Sequence, residues 1–83
     1  MPHVQVKLWP GRTEEQKRAL TEKIVAALKE TMGASEDYIT VGIEEISSSE
    51  WPRAVYKPEI HDKIDRLYKK PGYFYSDEEM NGR

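Results

Sequence analysis

The chain has 83 residues, of which 37% are apolar and 34% charged, and its formal net charge is −2. This length suits one compact domain, and the slightly acidic balance excludes the basic surface that nucleic acids and anionic membranes attract. No apolar run approaches the roughly 18 residues needed to span a bilayer, and the start of the chain lacks the pattern of a secretion signal. We therefore expect a cytoplasmic protein with no nucleic-acid or membrane partner.

The chain contains no cysteine, so neither disulfides nor thiolate metal sites can stabilise it. Domains of this size have little stability to spare, because surface grows relative to buried volume as a domain shrinks. Self-association is the common remedy that remains. We expect residues 1–83 to form a single domain that assembles into a homo-oligomer.

The first residues predict a half-buried β-strand. Val4, Val6 and Leu8 alternate with polar residues, so they share one face of an extended segment. Pro2 has the same parity as these apolar residues. The turn-forming sequence Trp-Pro-Gly-Arg at 9–12 then ends the strand.

A long amphipathic helix is predicted next. Thr13 and Gln16 have the spacing of a capping box, and Gly33 stands where a left-handed residue ends a helix. Between them runs a single apolar stripe at helical spacing, made of Leu20, Ile24, Ala27 and Leu28.

Residues 38–46 predict a second strand, with Ile39, Val41 and Ile43 on one face. A strand, a helix and another strand form a βαβ unit, whose strands should be parallel and whose crossover should be right-handed. With a further helix after it, the chain is predicted to be an α/β protein of β-α-β-α order.

The remainder of the chain predicts one more helix and a loose end. Serines 47–49 end the second strand and cap a short turn that contains Trp51. The second helix is expected over residues 58–70, because it would begin with a proline and would stop at Pro-Gly, residues 71–72. Residues 76–83 are polar and predict a loose tail.

The usual catalytic patterns are missing. No Gly-rich phosphate loop follows a strand, and no pair of histidines has metal-binding spacing. His3 and His61 are far apart in sequence, and we expect each to be a solvated or hydrogen-bonded surface residue. No metal or cofactor is predicted.

Pro2 is the one position where the sequence indicates chemistry. Methionine before proline is normally removed, which would leave Pro2 with a free secondary amine at the start of a strand. An α-amino group has a pKa of about 7.7–8.0, and apolar surroundings favour its neutral form, which can act as a general base. Proline occurs at any given position in about one protein in twenty by chance. Pro2 alone is therefore weak evidence for a catalytic role, and the residues that follow it must supply the rest.

Those neighbours resemble the 4-oxalocrotonate tautomerase superfamily. Pro2 and the alternating strand precede Gly-Arg-Thr-Glu-Glu-Gln-Lys at residues 11–17, which is similar to the turn and helix start of that family. The strand that ends in Glu-Glu-Ile at 44–46, with Trp51 soon after, also resembles the family pattern.

The rest of the chain resembles one branch, the small dimeric bacterial tautomerases that act on phenylpyruvate-type enols. The similar features are Ser-Glu-Trp at 49–51, the long second helix, and Lys-Lys-Pro-Gly-Tyr at 69–73. The resemblance covers residues 2 to about 75. It implies a homodimer in which the strands of two subunits complete one sheet, since a two-stranded sheet alone is marginal.

The resemblance implies a cofactor-free isomerase, a keto–enol tautomerase that converts 2-hydroxy-2,3-enoates such as phenylenolpyruvate into 2-keto acids. Pro2 would be the general base, Arg12 would hold the substrate carboxylate, and Trp51 would supply an apolar wall. Two simpler interpretations remain. Arg12 could be a solvated turn residue, and Trp51 could belong to the core or to an interface. Trp9 and residues 73–75 are expected to make packing or dimer contacts.

The sequence departs from the family pattern at one position. Thr40 stands where the hexameric relatives carry a second arginine, and a neutral hydroxyl cannot grip a second carboxylate. This departure favours a monocarboxylate with a hydrophobic end, with Arg53 as the alternative source of charge.

Two other functions stay open at this point. The same proline could assist the hydration or dehalogenation of an unsaturated acid, which would need an extra carboxylate to activate water. The chain could also be a non-catalytic interaction module that keeps the fold, and retention of Met1 would favour that interpretation.

Overall fold

The computed structural model describes residues 1–82, which form two compact units. The first unit is Met1–Glu45, and the second begins at Ile46. None of the helices within these 82 residues has the length and apolar character to cross a membrane.

The first unit is the predicted parallel βαβ unit. Strand β1 (His3–Leu8) and strand β2 (Thr40–Glu45) pair in register, from His3 opposite Thr40 to Leu8 opposite Glu45. Helix α1 (Glu14–Met32) connects them, and a short 3-10 turn precedes β2. In the described part of the chain these two strands are the entire sheet, so the subunit leaves it open.

Helix α1 begins and ends where the sequence predicts. The Thr13 hydroxyl accepts a hydrogen bond from the Gln16 amide at 3.1 Å, and the Gln16 side chain accepts one from the Thr13 amide at 2.9 Å. Gly33 ends the helix at φ 65°, a left-handed conformation that glycine adopts without steric cost. The predicted capping box is therefore confirmed.

A charged contact joins α1 to the end of β2. The ammonium of Lys17 lies 3.2 Å from the Glu45 carboxylate and 3.5 Å from that of Glu14. The hydrogen bond to Glu45 is the main reason why the pKa of Lys17 is raised. Both acids favour the charged ammonium, which holds the helix start against the strand.

The second helix differs from its prediction over residues 58–70. The structure has a π-helix (Pro52–His61) followed by a 3-10 turn (Ile64–Arg66). Proline does mark the first turn, as expected, but the proline concerned is Pro52. Pro58 lies inside the helix, where its missing N–H disfavours the regular α-helical ladder, and the chain forms the wider π turn instead.

Residues 76–82 include a short helix where the sequence predicts a loose tail over 76–83; residue 83 lies outside the described part. Ser76 caps this helix, α2 (Asp77–Met80), through its hydroxyl. Met80 is buried, as are two π-helix residues, Val55 and Tyr56, so α2 packs its last residue into the core of the second unit.

Replacing Met80 with alanine should therefore destabilise the second unit. We expect the Met80→Ala variant to lose about 2 kcal/mol of unfolding free energy, at the low end for a buried methionine because a short terminal helix can shift to close the gap. Urea titration followed by near-ultraviolet circular dichroism would measure the change. Met32→Ala is the matched control, because Met32 is 64% exposed. Equal stability of the two variants would contradict the assignment of Met80 to the core.

Candidate active site

Pro2 lies immediately before β1 and is fixed by the first residue of β2. The Thr40 amide donates a hydrogen bond to the Pro2 carbonyl at 3.2 Å. One residue along, the Nδ1 atom of His3 lies 2.6 Å from the Thr40 hydroxyl oxygen. Met1, which still precedes Pro2 in the chain, is 96% exposed. The start of β1 is therefore held through both main-chain and side-chain contacts, and residue 1 projects away from it.

Thr40 is the first residue of β2 and lies opposite His3 in the sheet. Its side chain is exposed and engages His3, so the polar group beside the start of β1 is a hydroxyl bonded to an imidazole. His3 is thus a hydrogen-bonded surface residue, one of the two roles expected for it. This pair can hydrogen-bond an oxygen atom, but it includes no guanidinium.

Arg12 lies in the loop between β1 and α1 and is exposed. Gly11 precedes it at φ 121°, a conformation that side chains rarely allow, so glycine is needed for this turn. Arg12 borders two open pockets, of about 450 Å³ and about 210 Å³, and Leu8 lines both as well. Among residues 1–82 its guanidinium has no ion-pair partner, which leaves it available to an anion.

Pro2 and Arg12 lie at opposite ends of the same strand. The six residues of β1 and the three turn residues 9–11 lie between them, and at about 3.3 Å per residue the strand alone spans roughly 20 Å. A small acid spans less than half that distance. The structure therefore does not bring the two predicted site residues together within one chain.

Trp51, the third predicted site residue, belongs to the second unit. Its amide and that of Glu50 donate hydrogen bonds to the Ser47 carbonyl at 3.0 and 3.2 Å, which confirms the predicted serine turn. The indole is half-buried, and its Nε1–H donates a hydrogen bond to the Tyr73 hydroxyl at 3.3 Å. Tyr73 was expected to make packing or dimer contacts, and no local pattern links two residues that are 22 positions apart.

The alternative cation, Arg53, is exposed and lies in the second unit. It borders an open pocket of about 350 Å³ that Glu79 and Tyr75 also line. Within residues 1–82, no group of histidine and acidic side chains has the arrangement of a metal site.

Comparison with known proteins decides the family. The model of the family described as tautomerase enzyme matches residues 2–56. The chain is 42% identical to tautomerase PptA of Pectobacterium carotovorum subsp. carotovorum (strain PC1) over 76 residues, which cover 90% of this chain and 100% of the relative. The chain belongs to the tautomerase family.

Two further relatives agree with this family assignment. The chain is 61% identical to 2-hydroxymuconate tautomerase of Bacillus subtilis (strain 168) over 46 residues, which cover 55% of this chain and 74% of the relative. The crystal structure of YwhB, a homologue of 4-oxalocrotonate tautomerase, matches with a TM-score of 0.56 at 56% identity, over 58% of this chain and 79% of that chain. The resemblance and the fold class are confirmed, and membership in this tautomerase family supports a tautomerase function, that of an isomerase-type enzyme.

Proposed function

We propose that this tautomerase converts 2-hydroxy-2,3-enoates with a hydrophobic end, such as phenylenolpyruvate, into 2-keto acids without a cofactor. The general base is the amino nitrogen of Pro2, exposed by removal of Met1. The observation that carries the proposal is the anchoring of Pro2 by Thr40 at the start of β1, at the first position of the family match.

The base acts through two proton transfers. The neutral proline nitrogen takes the proton of the hydroxyl group on C2 of the enol. The electron pair of the O–H bond forms the C2 carbonyl, and the π pair of the C2–C3 double bond moves to C3. The resulting prolinium then returns a proton to C3, which regenerates the neutral amine. General acid–base catalysis of this kind contributes about 10²–10⁴-fold to a rate. An amide nitrogen has no basic lone pair, so Met1 must be absent.

The substrate carboxylate is held by Arg12 of a second subunit. The roughly 20 Å along β1 between Pro2 and Arg12 supports this division. A planar guanidinium without a partner of its own suits a carboxylate, which it can bind with two parallel hydrogen bonds. We accordingly propose a homodimer, in which the open two-stranded sheets of two subunits join and each site combines Pro2 from one subunit with Arg12 from the other.

The rest of the substrate lies against apolar surface supplied by Trp51. A large aromatic ring excludes water and favours planar or aromatic groups. At position 40 the chain has a threonine bonded to His3, so a second carboxylate would find no guanidinium there. The preferred substrate is therefore a monocarboxylate.

Placing a positive charge at position 40 should change the substrate preference. The Thr40→Arg variant should raise kcat/KM for the dicarboxylate 2-hydroxymuconate relative to phenylenolpyruvate by about tenfold, the scale of one hydrogen bond to a charged group. Initial rates with both substrates would measure the ratio. Thr40→Val, which removes the contact with His3 without adding charge, is the control. A ratio that rises equally in both variants would contradict the role of charge at this position.

The proposal is tested by ketonisation of phenylenolpyruvate, followed by ultraviolet absorbance. Protein whose intact mass shows that Met1 is absent should be active, and protein that carries extra residues before Pro2 should react at the uncatalysed rate. Background rates in both samples would overturn the proposal, and the non-catalytic module would then be the better interpretation.

We do not extend the proposal to hydration or dehalogenation. Both reactions need a carboxylate that activates water beside the proline. The three residues that meet at the start of β1, Pro2, His3 and Thr40, include none.

A further inference from the structure

Tyr73 makes a specific contact with the residue that the proposed function uses as its apolar wall. The indole Nε1–H of Trp51 lies 3.3 Å from the Tyr73 hydroxyl oxygen, across 22 positions of sequence. Indole nitrogen is a donor only, so it needs an acceptor at a defined place. The Tyr73 hydroxyl is that acceptor.

The ring of Tyr73 is itself fixed by two other tyrosines. Its centroid lies 5.6 Å from that of Tyr56 and 5.8 Å from that of Tyr75, and the last two rings are 5.1 Å apart. All three spacings lie in the range of favourable aromatic pairs, and the two pairs that involve Tyr75 have the preferred edge-to-face geometry. Tyr56 is 5% exposed and lies on the π-helix. It therefore connects the cluster of three tyrosine rings to the core of the second unit. Tyr73, itself 45% exposed, thus contacts Trp51 from a ring that packs against a core residue.

We infer that Tyr73 is a positioning residue, whose hydroxyl holds the Trp51 indole in the orientation that binds aromatic enol acids. The inference rests on the proposed function and adds to it a residue outside the site. Tryptophan turns about two side-chain bonds, and packing alone leaves more than one orientation of a half-buried ring available. The hydrogen bond selects one of them, so the flat face of the indole is ready before the substrate arrives.

Two variants separate this role from simple packing. Tyr73→Phe removes the hydroxyl and keeps the ring in the cluster, while Tyr75→Phe removes the same atom from a neighbouring ring of the same cluster. We expect Tyr73→Phe to raise KM for phenylenolpyruvate by about 3- to 10-fold with kcat nearly unchanged, the scale of one neutral hydrogen bond. The effect should be smaller for 2-hydroxy-2,4-pentadienoate, which is planar but has no aromatic ring. Tyr75→Phe should behave like the wild type with both substrates.

A spectroscopic measurement tests the contact without turnover. The chain has two tryptophans, so nitrogen-15 NMR shows two indole N–H signals, and a Trp9→Phe variant assigns them. In Tyr73→Phe the signal of Trp51 should shift and its hydrogen should exchange faster with water. In Tyr75→Phe it should stay in place.

Three results would overturn the inference. One is an unchanged Trp51 signal in Tyr73→Phe, another is an unchanged KM in the same variant, and the third is an equal loss in Tyr75→Phe. Failure of the proposed function shows separately, because wild-type protein lacking Met1 would then not ketonise phenylenolpyruvate at all.

Discussion

The Pro2→Ala variant should ketonise phenylenolpyruvate at least about 10²-fold more slowly than the wild type, because it loses the rigid secondary amine proposed as the general base. Alanine also allows removal of Met1, so both proteins begin with a free amine at position 2. The primary amine of alanine is not fixed by a ring, and its nitrogen can turn away from the substrate. Steady-state kinetics on samples matched by intact mass would measure the difference in kcat.

The slower rate can be attributed to the lost amine only if the Pro2→Ala variant keeps the wild-type fold. Position 2 contributes a main-chain carbonyl to the Thr40 amide, and alanine keeps that carbonyl. Far-ultraviolet circular dichroism and the thermal midpoint should therefore match those of the wild type. A variant that folds normally and keeps its full rate would exclude Pro2 as the base.

Arg12→Ala should lower kcat/KM by about 10- to 100-fold, because the substrate carboxylate loses a charge-assisted contact of roughly 1.5–3 kcal/mol. A stronger result is expected from mixing. When equal amounts of the Pro2→Ala and Arg12→Ala proteins are unfolded together and refolded, half of the proposed dimers should be hybrids, and each hybrid should have one intact site. About a quarter of wild-type activity per subunit should then return.

The control for the mixing experiment places both substitutions in one chain. Refolding this double variant with wild-type protein should leave about a quarter of the activity, because every site of the hybrid then lacks one residue. Single variants mixed without unfolding should show only the sum of their residual rates. If activity never returns in the refolded mixture of single variants, Pro2 and Arg12 do not act across a subunit boundary.

The first unit could be predicted from the sequence because its signals are local. Alternation in β1, the capping box at Thr13 and the left-handed Gly33 each depend on residues within a few positions of one another. These patterns also identified the parallel βαβ order, since a long helix between two strands leaves no room for a hairpin.

The second unit was less predictable because either of two prolines could stand in the first turn of its helix. A rule that favours proline in the first turn applies equally to Pro52 and Pro58, and only the tertiary packing of Val55 and Tyr56 makes the earlier start favourable. Met80 is buried through contacts with parts of the chain that are distant in sequence. Its own neighbours in sequence are polar, so the local pattern gave no sign of this burial. The contact between Trp51 and Tyr73 was missed for the same reason.

The candidate site was predicted as a set of residues but not as an arrangement. Pro2, Arg12 and Trp51 followed from chemistry and resemblance. The distance between Pro2 and Arg12 did not follow from the sequence, because it depends on where β1 begins and ends, and the structure places Pro2 just before the strand and Arg12 in the turn after it. Sequence patterns describe which groups a chain has, whereas a shared site depends on how two chains meet.

The hydrogen bond from Thr40 to the Pro2 carbonyl has a consequence for how substrate preference can change in this tautomerase. The proposed base is a main-chain atom, so it has no side-chain torsions to order and its position follows the register of the sheet. The contact from residue 40 to Pro2 is made by the main-chain amide, which a substitution of the Thr40 side chain retains. New acids can therefore be accommodated by altering the surroundings, while the proton-transferring atom stays where the strand pairing holds it.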